Sequence, residues 1–229
     1  MPKVTVIIPA LNESGNIRQL VHDVQATVPA EVIVVDNGST DSTAQEAHQA
    51  AAKVVVEPRR GYGYACAAGV KEANQADILV FLDGDYSFVP SDLPSLLAPI
   101  YEDRADLVLG SRVLGHIAPG AMPPHQRFGN WLVARLMNIL YGISITDLGP
   151  YRAIRRSMLA QINMQEMTFG WPTEMIVKAV QRGARIVEVP VNYHPRRFGH
   201  SKVSGTMRGT ILATWFILGV TLRYAWRLK

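Results

Sequence analysis

Short apolar runs alternate with amphipathic stretches through the first half of the chain. The runs are almost continuously hydrophobic, which is typical of strands buried on both faces of a parallel sheet. They predict strands over residues 4–10, 31–36, 53–57, 77–83 and 106–110, with helices between them over residues 15–27, 41–51, 62–74 and 91–102. This alternation, with right-handed crossovers, predicts an α/β fold: a doubly wound, mostly parallel sheet with flanking helices.

The pattern changes after the fifth predicted strand. Residues 113–124 contain two glycines and three prolines, which predicts a flexible loop able to act as a lid. A helix is expected over residues 125–141, followed by a helix over 172–182 and a strand over 184–193. One face of the first of these helices would carry Phe128, Trp131, Leu132, Arg135, Leu136 and Ile139.

The end of the chain predicts an amphipathic helix. We divide the sequence into a main domain, residues 1–203, and a C-terminal segment, residues 204–229. The apolar core of this segment, residues 211–222, is shorter than the roughly 20 residues that a bilayer span needs. Its tryptophans and arginines suit a helix at a membrane interface, and docking against the main domain is the alternative.

Charge is divided unevenly between the two halves of the chain. Residues 1–106 carry 7 basic and 15 acidic side chains, a net charge of −8, and residues 107–229 carry 16 basic and 4 acidic ones, a net charge of +12. A basic surface attracts phosphate, nucleic acid or anionic lipid. The whole composition, with 48% apolar and 18% charged residues, supports a sizeable core and argues against extended disorder.

Two features bear on the compartment. The single cysteine, Cys66, cannot form an internal disulfide, which fits a reducing environment. The N-terminus enters a predicted strand almost at once, without a visible signal peptide. We therefore expect a cytoplasmic protein that associates peripherally with the cytoplasmic face of a membrane.

The fourth predicted strand ends in two carboxylates, Asp83 and Asp85, separated by Gly84. Ligands of open α/β sheets bind at the carboxyl ends of the strands. Two carboxylates held close together repel each other unless a cation lies between them, and oxygen ligands in small number suit Mg²⁺ or Mn²⁺ bound to substrate phosphates. The sequence therefore indicates a metal–diphosphate site, although Asp-Gly is also ordinary turn chemistry.

Polar residues also follow the first two strands. The first strand ends in Pro9 and Ala10, followed by Asn12 and Glu13, and the second ends in Asp36. In a parallel sheet these positions share one edge with the aspartate pair, so the loops could cradle a nucleotide. Asn12 and Glu13 could equally cap the next helix. A P-loop is excluded, because the sequence contains no Gly-x-x-x-x-Gly-Lys-Ser/Thr.

Four ordered motifs, V-I-I-P-A-L-N-E, V-V-D-N-G-S-T-D-S-T, R-G-Y-G-Y-A and F-L-D-G-D, resemble the family 2 glycosyltransferases of the GT-A fold over residues 3–115. The resemblance implies a nucleotide-sugar donor and a divalent cation, Mg²⁺ or Mn²⁺. It further implies that Asp36 and Asp83 contact the nucleoside and that Asp85 ligates the metal on the diphosphate. The donor-binding set would be Pro9, Ala10, Asn12, Glu13, Asp36, Asp83, Gly84 and Lys202, and the metal ligands Asp83 and Asp85.

The second half resembles the polyprenyl-phosphate branch of that family, of the dolichyl-phosphate mannose synthase type. The resemblance rests on Gly110-Ser111-Arg112, on Arg127, and on the motif Tyr193-x-x-Arg196-x-x-Gly199-x-Ser201-Lys202. It implies an acceptor-phosphate site of Arg112, Arg127 and Arg196, and a catalytic set of Asp85, Arg112 and Arg127. Two departures stand out: Asn37 replaces a frequent Asp, and residues 146–152 alter the usual Asp-x-x-x-Gly-Phe pattern, so the role of Asp147 is open.

These observations favour a metal-dependent, inverting transfer of a hexose from a UDP- or GDP-linked donor to a polyprenyl or dolichyl phosphate at a membrane surface. A phosphate acceptor is already ionised and needs no general base, and no acidic pair follows residue 107. Sugar, nucleotide and oligomeric state stay open.

Two alternatives also stay open. A soluble hydroxyl acceptor would need a base, and Glu174 is the candidate, although a carboxylate at a helix N-terminus is favourable without any catalytic role. A non-catalytic binder of anionic lipid or nucleic acid would use the basic half. The acidic first half argues against it, and we expect no nucleic-acid partner.

Overall fold

A seven-stranded sheet organises the part of the chain that the computed structural model describes, residues 2–198, 215 and 217–224. The strands are β1 (Val4–Ala10), β2 (Ala30–Asp36), β3 (Lys53–Val56), β4 (Ile78–Phe81), β5 (Leu107–Ile117), β6 (Arg152–Arg155) and β7 (Ile186–Tyr193). The helices are α1 (Ile17–Thr27), α2 (Thr43–Gln49), α3 (Tyr62–Glu72), α4 (Leu93–Tyr101), α5 (Pro124–Tyr141), α6 (Arg156–Ile162) and α7 (Trp171–Gln181), and a 3₁₀ turn (Pro90–Asp92) precedes α4.

The strand order is β3-β2-β1-β4-β6-β5-β7. Neighbouring strands run parallel except around β6, which is antiparallel to both β4 and β5. The predicted α/β fold with a mostly parallel sheet and flanking helices is therefore confirmed. The carboxyl ends of β1, β2, β3 and β4 meet at one edge, which we call the carboxyl edge.

Strands β1, β2 and β4 are buried on both faces, as their continuous apolar runs predict, whereas the edge strand β3 is half-buried or exposed. Along β1, Val6 and Ile8 belong to a cluster that includes Leu20 of α1 and Leu97 of α4. Ile7 points to the opposite face, into a cluster with residues of α3, α5 and α7. Because side chains alternate along a strand, one apolar run supplies both cores.

Three elements differ from the predictions. The antiparallel strand β6 and the helix α6 were not predicted, because R-A-I-R is too short and too charged to resemble a buried strand. Strand β5 continues to residue 117, where Ile117 pairs with Tyr193 of β7, so the first five residues of the predicted flexible loop 113–124 are strand. Gly115 permits this pairing, since a Cβ there would lie 2.0 Å from the carbonyl oxygen of Val191.

Helix α5 has two apolar stripes, and the structure buries the one made of smaller residues. Its buried side chains are Val133, Ala134, Met137 and Tyr141. Most of the face singled out in the sequence is exposed instead, with Phe128 62%, Trp131 57% and Ile139 68% accessible. Only packing against the sheet decides between two such stripes.

The described part of the C-terminal segment, residues 215 and 217–224, is helical, and we call it the C-terminal helix. Val220, Thr221 and Tyr224 are buried against the domain, whereas Trp215 and Leu222 are exposed. The alternative of docking against the main domain therefore holds for one face of this helix. The boundary at residue 203, and Lys202, lie outside the described residues. Nowhere in the described parts does a helix combine the length and apolar character required to traverse a bilayer.

Candidate functional site

A cavity of about 490 Å³ opens at the carboxyl edge, between the ends of β1 and β4. It is lined by most of the residues that the sequence singled out: Pro9, Ala10, Glu13, Asp83, Gly84, Asp85 and Arg196. A larger, open cavity of about 630 Å³ lies at the opposite ends of the strands, but its Lys53 is already paired with Glu72 at 2.9 Å. The chemistry therefore concentrates at the carboxyl edge.

Asp83 is an incompletely satisfied carboxylate on the cavity wall. Its Oδ1 atom is shielded from solvent and has no hydrogen-bond partner among the described residues. Burial, together with the neighbouring negative charge of Asp85, raises the pKa of Asp83 to about 7. A buried polar atom without a partner is costly, so this oxygen is suited to receive a ligand.

Asp85 is oriented by its own turn. Its Oδ1 atom accepts hydrogen bonds from the backbone N–H of Ser87 at 2.9 Å and from the Ser87 hydroxyl at 2.5 Å. Its Oδ2 atom lies 3.5 Å from Nη1 of Arg196, whose Nη2 pairs with Glu13. Arg196, expected at the acceptor phosphate, thus lies in the same cavity as the proposed metal ligands and balances two of its carboxylates.

The carboxylates of the cavity suit a divalent cation whose remaining ligands come from a substrate. Within residues 2–198 and the C-terminal helix, no group of three or more His, Cys, Asp or Glu side chains could hold a metal. The cavity offers the neighbouring carboxylates of Asp83 and Asp85, while Glu13, which also lines it, is paired with Arg196. Mg²⁺ and Mn²⁺ accept such a site when phosphate oxygens and water supply the other ligands, and the unpartnered Asp83 Oδ1 is one available ligand.

The predicted nucleoside contacts Asn12 and Asp36 lie beside the cavity, where Asp36 bonds within the loop after β2 and Asn12 joins that loop to the loop after β1. Asp36 Oδ1 accepts the N–H of Ser39 at 2.8 Å, and Asn12 Oδ1 accepts the N–H of Thr40 at 2.8 Å. The Asn12 side chain thus contacts the loop after β2 rather than the N-terminus of α1. Glu13 does line the cavity, and its Oε2 accepts from Asn16 at 2.9 Å.

The substitution of Asn for Asp at position 37 has a structural reason. The Asn37 amide donates to the carbonyl oxygens of Glu57 and Arg59 at 2.9 and 2.7 Å, and its Oδ1 accepts the N–H of Gly61 at 2.9 Å. Aspartate could accept but not donate here. Asn37 thereby fixes the segment that leads into α3, where Gly61 has a φ of +148°.

Arg112 is not an open phosphate contact in this structure. Its Nε and Nη2 atoms donate to the two oxygens of Asp147 at 2.8 and 2.7 Å, and its guanidinium lies 5.1 Å above the Tyr193 ring. The Arg112 side chain is 8% exposed and that of Asp147 1%. The open question about Asp147 is thus answered structurally: it is the partner of Arg112. Arg127, in contrast, is exposed in the first turn of α5 and has no ion pair among the described residues.

Glu174, the candidate base, does not face the cavity. It is fully buried, and its two oxygens accept from the N–H groups of Gln165 and Glu166, the hydroxyl of Tyr224 and the ammonium of Lys178. A general base must reach the proton that it abstracts. The structure therefore contradicts the catalytic role considered for Glu174.

The sequence did not reveal the segment that covers one side of the cavity. Residues 163–170, which we call the cavity loop, contribute Thr168 and Phe169 to the lining. The loop packs directly on the first turn of α3, where a Cβ on Gly63 would lie 2.5 Å from the carbonyl oxygen of Glu166. The glycines of R-G-Y-G-Y-A indicated a close approach of this kind, but not its partner.

A buried arginine was also missed. Arg152 of β6 donates to the carbonyl oxygens of Pro172, at 2.7 Å, and Gly149, and burial lowers its pKa to about 10. It pairs in register with Phe81, two residues before Asp83, so a positive charge lies within the sheet beside the cavity. Strand β6 has no recognisable hydrophobic pattern, so the sequence did not reveal Arg152.

We expect the metal-free protein to lose stability as pH rises from about 4 to about 7. Asp83 has an unfolded pKa near 3.9 and a folded pKa of about 7, so folding favours its protonated form. That contribution is complete below about pH 4 and is lost as pH passes through about 7, a change of order 1–2 kcal/mol at a cavity with water access. Urea unfolding with EDTA at several pH values measures it.

The variant Asp83→Asn should remove this pH dependence. Glu102→Gln is the matched control, because it deletes one carboxylate whose side chain is 54% exposed. A wild-type profile that is flat between pH 4 and 7, or equal profiles for the two variants, would contradict the assignment.

Comparison with known proteins identifies related chains. The sequence model described as Glycosyl transferase family 2 matches residues 5–162. An uncharacterized glycosyltransferase of Mycobacterium tuberculosis is 39% identical over 212 residues, which cover 92% of this chain and 94% of the relative. An undecaprenyl-phosphate mannosyltransferase of Micrococcus luteus is 32% identical over 238 residues, with 97% of this chain and 96% of the relative covered.

A solved structure is also similar. Glucosyl-3-phosphoglycerate synthase from Mycobacterium tuberculosis, crystallised with Mn²⁺, UDP and phosphoglyceric acid, superposes with a TM-score of 0.78. The match covers 98% of this chain and 78% of that chain at 23% identity. At that identity the likeness shows a shared fold.

Proposed function

The chain belongs to glycosyl transferase family 2, and from that premise we propose that it transfers a hexose, with inversion, from a nucleotide-sugar to a polyprenyl phosphate in the presence of Mg²⁺ or Mn²⁺. The expected GT-A fold and the glycosyltransferase activity are confirmed, and the non-catalytic alternative is set aside. The observation that carries the proposal is the cavity in which the unpartnered Asp83 Oδ1 lies next to Asp85 and Arg196.

The donor half of the mechanism follows from the charges at the carboxyl edge. Asp85, held by Ser87, and Asp83 would ligate the cation, which when bound supplies Lewis-acid stabilisation to the leaving diphosphate. Arg196 adds a second positive charge, released from Asp85 and Glu13 when the diphosphate enters. Asn37 holds the segment before α3 in place. Asp36 lies beside the cavity at the end of β2. We propose that the nucleoside reaches it when the loop after β2 opens slightly.

The acceptor phosphate must be held by a positively charged side chain. A phosphate monoester is ionised near neutral pH, so positioning replaces deprotonation. Arg127 is exposed and unpaired among the described residues, and we assign the phosphate contact to it. Arg112 is held in its buried ion pair with Asp147, so we assign it a structural role next to the site. The name of the Micrococcus luteus relative, similar over nearly its whole length, supports a polyprenyl-phosphate acceptor.

A membrane surface fits the outer face of α5. Phe128 and Trp131 are exposed, with ring centroids 5.8 Å apart and ring planes tilted by 32°, and Arg127 and Arg135 lie on the same helix. The helix contains no acidic residue. Aromatic side chains flanked by arginines are typical of a surface that rests on anionic lipid, so we propose peripheral membrane association through this face.

We expect Arg127→Gln to raise the KM for polyprenyl phosphate by about 10- to 100-fold, because a charge-assisted hydrogen bond contributes about 1.5–3 kcal/mol. The KM for the nucleotide-sugar should not change. Arg135→Gln is the matched control, since it removes the same charge from an exposed position two turns further along α5. Steady-state kinetics with a short-chain polyprenyl phosphate in detergent measures both constants. Equal effects of the two substitutions would refute a specific role for Arg127.

The activity itself is tested with a panel of UDP- and GDP-hexoses, Mn²⁺ or Mg²⁺, and a short polyprenyl phosphate. Mass spectrometry should detect a polyprenyl-phosphate hexose whose formation stops with EDTA. Transfer to a water-soluble hydroxyl compound with no lipid product would overturn the acceptor assignment. Formation of the lipid product in EDTA would overturn the metal requirement.

A further inference from the structure

The C-terminal helix packs directly against the cavity loop. A Cβ on Gly170 would lie 2.8 Å from Cγ2 of Val220 and 2.7 Å from Cγ of Glu166. Only glycine fits between the loop and the helix at this point. The position of Val220 therefore limits where the loop can lie.

Glu174 joins the same two elements through hydrogen bonds. Its Oε2 atom accepts from the backbone N–H groups of Gln165 and Glu166 at 2.9 and 2.7 Å. Its Oε1 atom accepts from the hydroxyl of Tyr224 at 2.6 Å and lies 2.8 Å from the ammonium of Lys178. Because the carboxylate is fully buried, losing any of these donors cannot be compensated by water.

The cavity loop carries this restraint to the cavity. Beyond its two anchored amides, Thr168 donates to Oε1 of Glu166 from its N–H at 3.1 Å and from its hydroxyl at 2.5 Å. Tyr64 of α3 donates its N–H to the carbonyl oxygen of Met167 at 3.2 Å. Thr168 and Phe169 then line the cavity. A continuous set of contacts therefore runs from the C-terminal helix to the cavity wall.

We propose that Glu174 is a positioning residue that couples the docking of the C-terminal helix to the shape of the donor cavity. With the Tyr224 hydroxyl in place, Glu174 holds the cavity loop in the arrangement that contacts the donor. Without it, the loop opens more often and donor binding weakens. The identity of the cavity's ligand rests on the proposed function, whereas the coupling between helix and loop does not.

The test compares two tyrosines that hold the same helix. Tyr224→Phe removes the hydroxyl that reaches Glu174. Tyr141→Phe removes a buried hydroxyl that donates to the carbonyl oxygen of Thr221 at 2.5 Å, and this bond does not involve the cavity loop. Hydrogen exchange of peptides spanning residues 163–170 reports loop opening. Titration calorimetry with UDP and GDP in Mn²⁺ reports affinity.

We expect Tyr224→Phe to accelerate exchange in residues 163–170 about tenfold and to weaken nucleotide binding by a similar factor, with Tyr141→Phe close to wild type in both. Glu174→Gln, of nearly the same shape, should reproduce the Tyr224→Phe result and serves if that variant does not fold. Unchanged exchange in both Tyr224→Phe and Glu174→Gln overturns the coupling, and an equal rise in Tyr141→Phe overturns the role of Glu174 in it, because loosening the helix elsewhere would then open the loop as well. If the wild-type protein binds no nucleotide, the proposed function fails, and the exchange data alone decide the coupling.

Discussion

Asp85→Asn is expected to lower hexosyl transfer by about a thousandfold and to abolish Mn²⁺-dependent nucleotide binding. The carboxylate is already oriented by two hydrogen bonds from Ser87, so the substitution removes negative charge with little change in shape. A metal that neutralises a leaving diphosphate contributes several kcal/mol, and each 1.36 kcal/mol is tenfold in rate. Initial rates with the nucleotide-sugar and polyprenyl phosphate give the first effect, and calorimetry with nucleotide and Mn²⁺ gives the second.

Ser87→Ala provides a graded comparison. It removes the hydroxyl that donates to Asp85 at 2.5 Å and keeps the carboxylate itself, so we expect an intermediate loss of about three- to tenfold. If Asp85→Asn retains metal-dependent binding, the cation is held elsewhere, and the assignment of the carboxyl edge as the metal site is wrong. A loss in Ser87→Ala as large as that in Asp85→Asn, with unfolding in urea unchanged from wild type, would contradict the supporting role assigned to the Ser87 hydroxyl.

The carboxyl edge could be predicted because its position depends on strands alone. Strand ends can be recognised from apolar runs, and parallel strands bring their carboxyl ends to one edge whatever the loops do. For this reason Pro9, Glu13, Asp83 and Asp85 were expected together and line one cavity. Asn12 and Asp36 do not line the cavity, because their side chains accept hydrogen bonds from the backbone of the loop after β2.

The remaining parts depend on contacts that no local pattern records. Arg112 and Asp147 lie 35 residues apart in sequence, and their pairing follows from the antiparallel insertion of β6 between β4 and β5. Strand β6 itself has four residues with arginine at both ends, which local hydrophobicity cannot distinguish from a loop. Glu174 had the position expected of a helix N-terminal carboxylate, and only the fold reveals that it binds the cavity loop.

Arg112 was expected to bind the acceptor phosphate, but its hydrogen-bonding groups are already occupied by the buried ion pair with Asp147. Taking a guanidinium out of water is costly, and Asp147 compensates with two parallel hydrogen bonds. Asp147 is held in turn: its N–H donates to Glu188 of β7 at 3.0 Å. This is why we propose Arg127, which is exposed, as the phosphate contact in place of Arg112.

Asp147→Asn is expected to destabilise the fold by about 3 kcal/mol, because it leaves the Arg112 charge buried without its counter-charge. Replacing both partners, as in Arg112→Met with Asp147→Leu, should recover only part of that loss: both buried charges are removed together, but the backbone N–H groups of Arg112 and Leu148 lose their acceptor. Urea unfolding at pH 7 measures the three proteins. Glu46→Gln is the control for an exposed pair: Arg18 and Glu46 lie 2.6 Å apart with side chains 47% and 25% exposed, and we expect a loss below about 1 kcal/mol.

The pH dependence of the same pair gives an independent check. Burial alone would raise the pKa of Asp147, but the charge and hydrogen bonds of Arg112 outweigh it and hold the pKa below its ordinary value. Its contribution to stability is therefore present above about pH 4 and is lost as pH falls through the lowered folded pKa. Wild-type stability should fall more steeply than that of Asp147→Asn below pH 4. Parallel acid profiles, together with a loss under 1 kcal/mol at pH 7, would mean that Arg112 exchanges Asp147 for water and remains available to an anionic ligand.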